Sequence, residues 1–114
     1  IKKGYKIEGS KVLVLGITFK ENCPDIRNSR VIDVVDELKD FGCNVDVYDP
    51  WADNEEVKRE YGFELKKELD IDNYEAVVLA VAHNEFKDLD IDNKNKVVFD
   101  IKGILNKNRV DGRL

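Results

Sequence analysis

The run Ala76-Val77-Val78-Leu79-Ala80-Val81-Ala82 constrains the fold of this chain more than any other segment. It is a continuous apolar stretch with no polar alternation, the pattern of a strand covered on both faces, as in a parallel sheet. Lys11 to Gly16 repeats it with Val12-Leu13-Val14-Leu15 and stops at glycine. Two strands of this kind, separated by segments of helical period, predict βαβ crossovers rather than hairpins.

The intervening segments fit that frame. Val31, Ile32, Val34, Val35, Leu38 and Phe41 fall on one helical face, with Asn28 or Ser29 placed to cap the start and Gly42 to end it. Asn44 to Tyr48 reads as a second strand, closed by Asp49-Pro50 because proline cannot continue a central strand. Asp53 to Tyr61 reads as a short charged helix stopped by Gly62. Residues 63–72 are expected to hold a short edge strand and a helical turn. Glu75 to Ala82 is the strand that contains the apolar run, His83 to Leu89 is expected to be a short helix, and Lys96 to Ile101 a last strand ending at Lys102-Gly103. The predicted architecture is a three-layer, Rossmann-like α/β domain: a mostly parallel sheet flanked by helices.

In such a sheet ligands bind beyond the carboxyl ends of the strands. The loop 17–28, Asp49-Pro50-Trp51, Ala82-His83-Asn84 and Lys102-Gly103 are all expected on that rim. Lys20 and Arg27 are its candidates for anion contact, one a compact ammonium and the other a planar fork; a pair of solvated surface cations is the competing reading. Only Gly16 stands where a Gly-x-Gly-x-x-Gly dinucleotide turn would need three glycines, so a backbone phosphate cradle is not expected. Asp49 is either a ribose-binding acid or a turn former, the turn being favoured before proline. Trp51 either stacks on a base or packs on its neighbours, packing being favoured. Cys23 would be a nucleophile if His83, the single histidine, served as its base. The weaker standing of that pair follows from rim residues not needing to touch. Cys43, just before a strand, reads as a small buried hydrophobe.

Composition narrows the classes. The 114 residues are one domain's worth of chain, 42% hydrophobic and 38% charged, which suits a globular protein rather than a disordered one. A net charge of −5 argues against a general nucleic-acid binder. No apolar run nears the roughly 20 residues of a membrane span, and two cysteines make neither a disulfide framework nor a zinc site. A reducing cytoplasm is the simplest setting. The chain lacks methionine and opens on Ile1, so it is expected to be a piece of something longer, with 1–9 the tail of a preceding linker or helix and 10–114 the domain.

The loop Gly16-Ile17-Thr18-Phe19-Lys20-Glu21-Asn22-Cys23-Pro24-Asp25-Ile26-Arg27-Asn28-Ser29 resembles the signature of the C-terminal domain of the UDP-glucose/GDP-mannose dehydrogenase family. Val47-Tyr48-Asp49-Pro50 and Phe99-Asp100-Ile101-Lys102-Gly103 extend the resemblance, which runs from Gly9 to Leu114. The Glu-Asn-Cys-Pro-Asp-Ile-Arg-Asn wording is most similar to the branch that oxidises UDP-N-acetylhexosamines. The resemblance implies a domain that closes over the UDP half of a UDP-sugar and completes an NAD site. It assigns Phe19, Lys20 and Lys102 to substrate and Arg27 to the NAD pyrophosphate; an arginine is usual where Lys102 stands. It implies a homodimeric enzyme that turns a C6 alcohol into a carboxylate by two hydride transfers through a thiol-bound intermediate. Its product would feed polysaccharide synthesis. The catalytic cysteine and the glycine-rich turn belong to NAD-binding and central domains that precede this one, so no catalytic residue is expected here and Cys23 does not take that role. The alternatives are a receiver-like signalling domain, in which Asp49 and Lys102 would be the key pair, and a stand-alone uridine-nucleotide-binding module.

Overall fold

The computed structural model describes residues 9–89, 91, 96–101 and 112–113. Five strands, β1 (Lys11–Leu15), β2 (Asn44–Tyr48), β3 (Ala76–Leu79), β4 (Val97–Asp100) and β5 (Gly112–Arg113), form one sheet in the order β2-β1-β3-β4-β5, and every neighbouring pair is parallel. The chain leaves β1 for the edge strand β2, then crosses back past β1 to β3. The order therefore reverses beside β1, which marks the crevice at its carboxyl end as the ligand position of this architecture.

Alternation along each strand splits the core in two. Leu13, Leu15, Val77, Leu79 and Val98 face one way and pack with Tyr74, Phe86 and Ile91. Val14 and Val47 face the other way, with Val35 of α1 (Val31–Asp40) and Val57 of α2 (Asn54–Tyr61). Among the described residues the first face is covered by loops and two short 3-10 turns, Ile71–Asn73 and Asn84–Phe86.

Gly62 closes α2 as read from sequence, at φ 80, while Asp53, read as the first helical residue, is instead its N-cap, the carboxylate accepting from the Glu55 N–H at 2.9 Å. The start of α1 differs. Arg30 is the N-cap residue and makes no side-chain cap bond, while Ser29 Oγ accepts from Val31 N–H at 3.3 Å and Asn28 takes a left-handed φ of 58. Phe41 also departs from expectation. The helix ends at Asp40, so the ring is 63% exposed at the mouth of an apolar groove shared with Val34, Leu38 and Phe99. The expected edge strand in 63–72 amounts to a single bond, Lys66 N–H to the Val47 carbonyl at 2.8 Å; the expected turn is the 3-10 turn at Ile71–Asn73. β3 is shorter than its apolar run, because Ala80 and Val81 both donate to the Leu15 carbonyl and turn the chain onto the rim. His83 to Leu89 holds a 3-10 turn rather than an α-helix.

Candidate functional site

The rim is closed tightly at Gly16. Its φ is +99, and a Cβ there would lie 2.5 Å from Val81 Cβ and 2.9 Å from Val81 N. Only glycine lets the ends of β1 and β3 approach this closely. Its N–H donates to the Tyr48 carbonyl at 2.9 Å, so the exits of three strands meet at one point.

From there the chain enters the 17–28 loop, which is anchored by Asp49 and His83. One Asp49 oxygen accepts from Ile17 N–H (2.7 Å), Thr18 N–H (3.3 Å) and the His83 Nε2 position (3.0 Å). The other accepts from Trp51 N–H (2.8 Å) and Ala52 N–H (3.2 Å). Burial raises the Asp49 carboxyl, but the bond to His83 and those from Ile17 and Trp51 outweigh it and hold the group below the usual aspartate range. His83 is fully buried between the rings of Trp51, stacked at 5.8 Å and 23°, and Phe86. Its Nδ1 accepts from the Asn22 N–H at 2.9 Å, and Nε2 also lies 3.2 Å from Thr18 Oγ1. Asn22 has a left-handed φ of 54, and its side-chain oxygen accepts from Asn84 N–H at 2.8 Å.

The residues singled out from sequence sort clearly. Phe19 is 58% exposed and Lys20 is exposed. Together with Thr18, Asn28, Arg30 and Val81 they line a pocket of about 160 Å³. Arg27 is not there. Its guanidinium holds Asp25 through two bonds, Nε at 3.0 Å and Nη2 at 3.1 Å, and it lies on a separate polar cleft with Glu56, Arg59 and Glu60. The bond from Arg27 lowers the Asp25 carboxyl. Lys20 and Arg27 thus serve different depressions, not one anion site. Lys102 lies outside the described residues.

Both His83 nitrogens are occupied, so His83 cannot be the base for Cys23; the Cys-His reading is corrected on that ground. The turn reading of Asp49 is borne out, and its filled oxygens leave no acceptor for a ribose. Trp51 packs, with its indole N–H donating to Glu85 at 2.9 Å. Sequence reasoning missed Asn28 and Arg30 beside Lys20. The signal was the helix start that follows the loop, since a helix's first residues border the rim of a parallel sheet.

The family model for the UDP binding domain of the UDP-glucose/GDP-mannose dehydrogenase family matches residues 13–107. The chain belongs to this family. It is 50% identical, over all of its length, to the UDP-N-acetyl-D-glucosamine 6-dehydrogenase of Salmonella typhi, of which it covers 28%. An NDP-N-acetyl-D-galactosaminuronic acid dehydrogenase from Methanosarcina mazei superposes with a TM-score of 0.83 at 26% identity, over 96% of this chain and 25% of that one. A UDP-glucose dehydrogenase from Pyrobaculum islandicum gives 0.77 at 30% identity, over 93% and 25%. The chain therefore spans about a quarter of the length of the relatives it matches. Membership in this dehydrogenase family displaces the receiver-like alternative, and the buried, saturated Asp49 agrees with that: it presents no free oxygen to phosphorylate. Among the described residues no helix is long and apolar enough to cross a membrane.

Proposed function

We propose that residues 10–114 form the C-terminal, UDP-binding domain of a cytoplasmic, NAD-dependent nucleotide-sugar 6-dehydrogenase, and that 1–9 join it to preceding NAD-binding and central domains. The carrying observation is the pocket beside Phe19 and Lys20 at the switch in strand order, in a chain whose loop belongs to this family. The pocket is the right size for a phosphate with part of a sugar, and Lys20 and Arg30 bring positive charge to it. Phe19, exposed at its edge, offers a flat apolar face to a uracil ring. Lys102 is proposed as a further substrate contact.

NAD would supply the hydride acceptor when bound. The residues here fit part of such a site. Arg27 presents an exposed guanidinium on a polar cleft, suited to a pyrophosphate, but Gly16 alone cannot make a glycine-rich cradle. The domain accordingly binds and orients, while the reacting thiol and the nicotinamide pocket come from the rest of a homodimeric enzyme. The UDP-N-acetylhexosamine class is favoured by the Salmonella relative's name and by the 50% identity to it.

Calorimetric titration of UDP and ADP into the chain tests this. UDP is expected to bind more tightly than ADP, and Lys20→Ala to weaken UDP about tenfold, the worth of one charge-assisted contact. Equal affinity for the two nucleotides, or an unchanged UDP affinity in the variant, would refute the assignment.

A further inference from the structure

We infer that His83 is a positioning residue for the Phe19–Lys20 pocket, acting through the 17–28 loop, and that it holds the loop only as a neutral imidazole protonated on Nε2. The tautomer follows from the partners. A backbone N–H can only donate, so the bond from Asn22 N–H at 2.9 Å requires a bare lone pair on Nδ1. The ring proton then sits on Nε2, facing Asp49 at 3.0 Å and Thr18 Oγ1 at 3.2 Å. Thr18 spends its own hydroxyl proton on the Lys20 carbonyl at 3.0 Å, so its oxygen is free to accept. Every donor in the array meets an acceptor in this one arrangement.

The array ends at the pocket. Thr18 lines it and ties down Lys20, while Asn22 fixes the far limb of the same loop. A second proton on Nδ1 would set N–H against the Asn22 N–H inside a ring environment that water does not reach, and the loop would have to let go. The charged groups around the ring are Asp49, bonded to it, and Glu85, one ring away on the Trp51 indole N–H; Lys20 and Glu21 on the loop are exposed. The loop latch stands on these contacts alone, whereas its link to ligand rests on the UDP reading above.

The test uses two isosteric variants of the chain. In His83→Asn the side-chain oxygen takes the place of Nδ1 and keeps the Asn22 bond; in His83→Gln the amide takes the place of Nε2, keeps Asp49 and loses Asn22. His83→Asn is expected to bind UDP within about threefold of the parent and His83→Gln about tenfold more weakly, at similar melting temperatures. In the parent, nitrogen-15 spectra should show a bare Nδ1 and a coupling between it and the Asn22 amide across their hydrogen bond. Equal weakening by both variants, or an Asn22 amide uncoupled from the ring, would overturn the inference. If the amide couples to the ring but the parent binds no UDP, the latch stands and the UDP reading fails.

Discussion

Replacing Asp49 by alanine should be among the most damaging single changes in this domain. Its carboxylate accepts four backbone N–H groups and the imidazole N–H. The donors of half-buried Trp51 and Ala52 can turn to water, but those of Ile17 and Thr18 are buried and cannot. Leaving two buried backbone donors unpaired, and the buried His83 N–H without its acceptor, is expected to cost about 3–5 kcal/mol. Urea unfolding at 25 °C, followed by the fluorescence of Trp51, the single tryptophan, measures it. With a slope of about 1.5 kcal/mol per molar for a domain of this size, the midpoint should fall by about 2–3 M. Asp49→Asn should fall nearly as far, because its amide nitrogen would face a backbone donor whichever way it turns. The effect should also depend on pH. The folded carboxyl lies below its unfolded value of about 3.9, so its contribution is complete above that value and is lost as pH falls through the lower, folded one. The gap between parent and variant should therefore narrow only in that acid range. A midpoint shift under about 0.5 M, or an asparagine variant as stable as the parent, would refute the accounting.

Other substitutions probe the rest of the reasoning. Gly16→Ala should cost about 2–4 kcal/mol in the same assay, from a left-handed backbone and a blocked approach to Val81. Adding Val81→Ala should not restore it, since the Val81 backbone nitrogen remains at 2.9 Å; full rescue would contradict the backbone argument. Phe86→Ala, at a fully buried ring beneath β3, should cost about 3–5 kcal/mol, and a loss under about 1 kcal/mol would mean that the face collapses around it. Phe41→Ser should change stability by less than about 0.5 kcal/mol, because the ring is mostly in solvent; a large loss would place Phe41 in the core after all.

Much of the architecture was legible because its signals are local. The apolar runs 12–15 and 76–79 are strands, α2 ends at its Gly62 stop, and Asp49-Pro50 ends β2. The failures were also local in origin. Residues 63–72 carry no period, so a single bond to β2 could not be told from a strand. Phe41 matched the helical spacing but came one residue after the helix ended. β5, two residues long, carries too little pattern to be read.

By itself the sequence determined the fold class and the membership of the rim, since periodicity sets which residues are strands and topology sets which loops gather at their ends. It also carried the family, through a loop whose wording is specific. What it left undecided was pairing. Asp49, His83 and Thr18 are scattered through the chain, and only β1, with β2 and β3 hydrogen-bonded on either side of it, brings them within hydrogen-bond reach. The same packing parted Lys20 from Arg27, which are close in sequence yet open onto different clefts. Spacing along a chain reports which face of an element a residue occupies. Which residues meet across elements depends on strand order and on how closely the strands approach, and here Gly16 and Val81 set that distance.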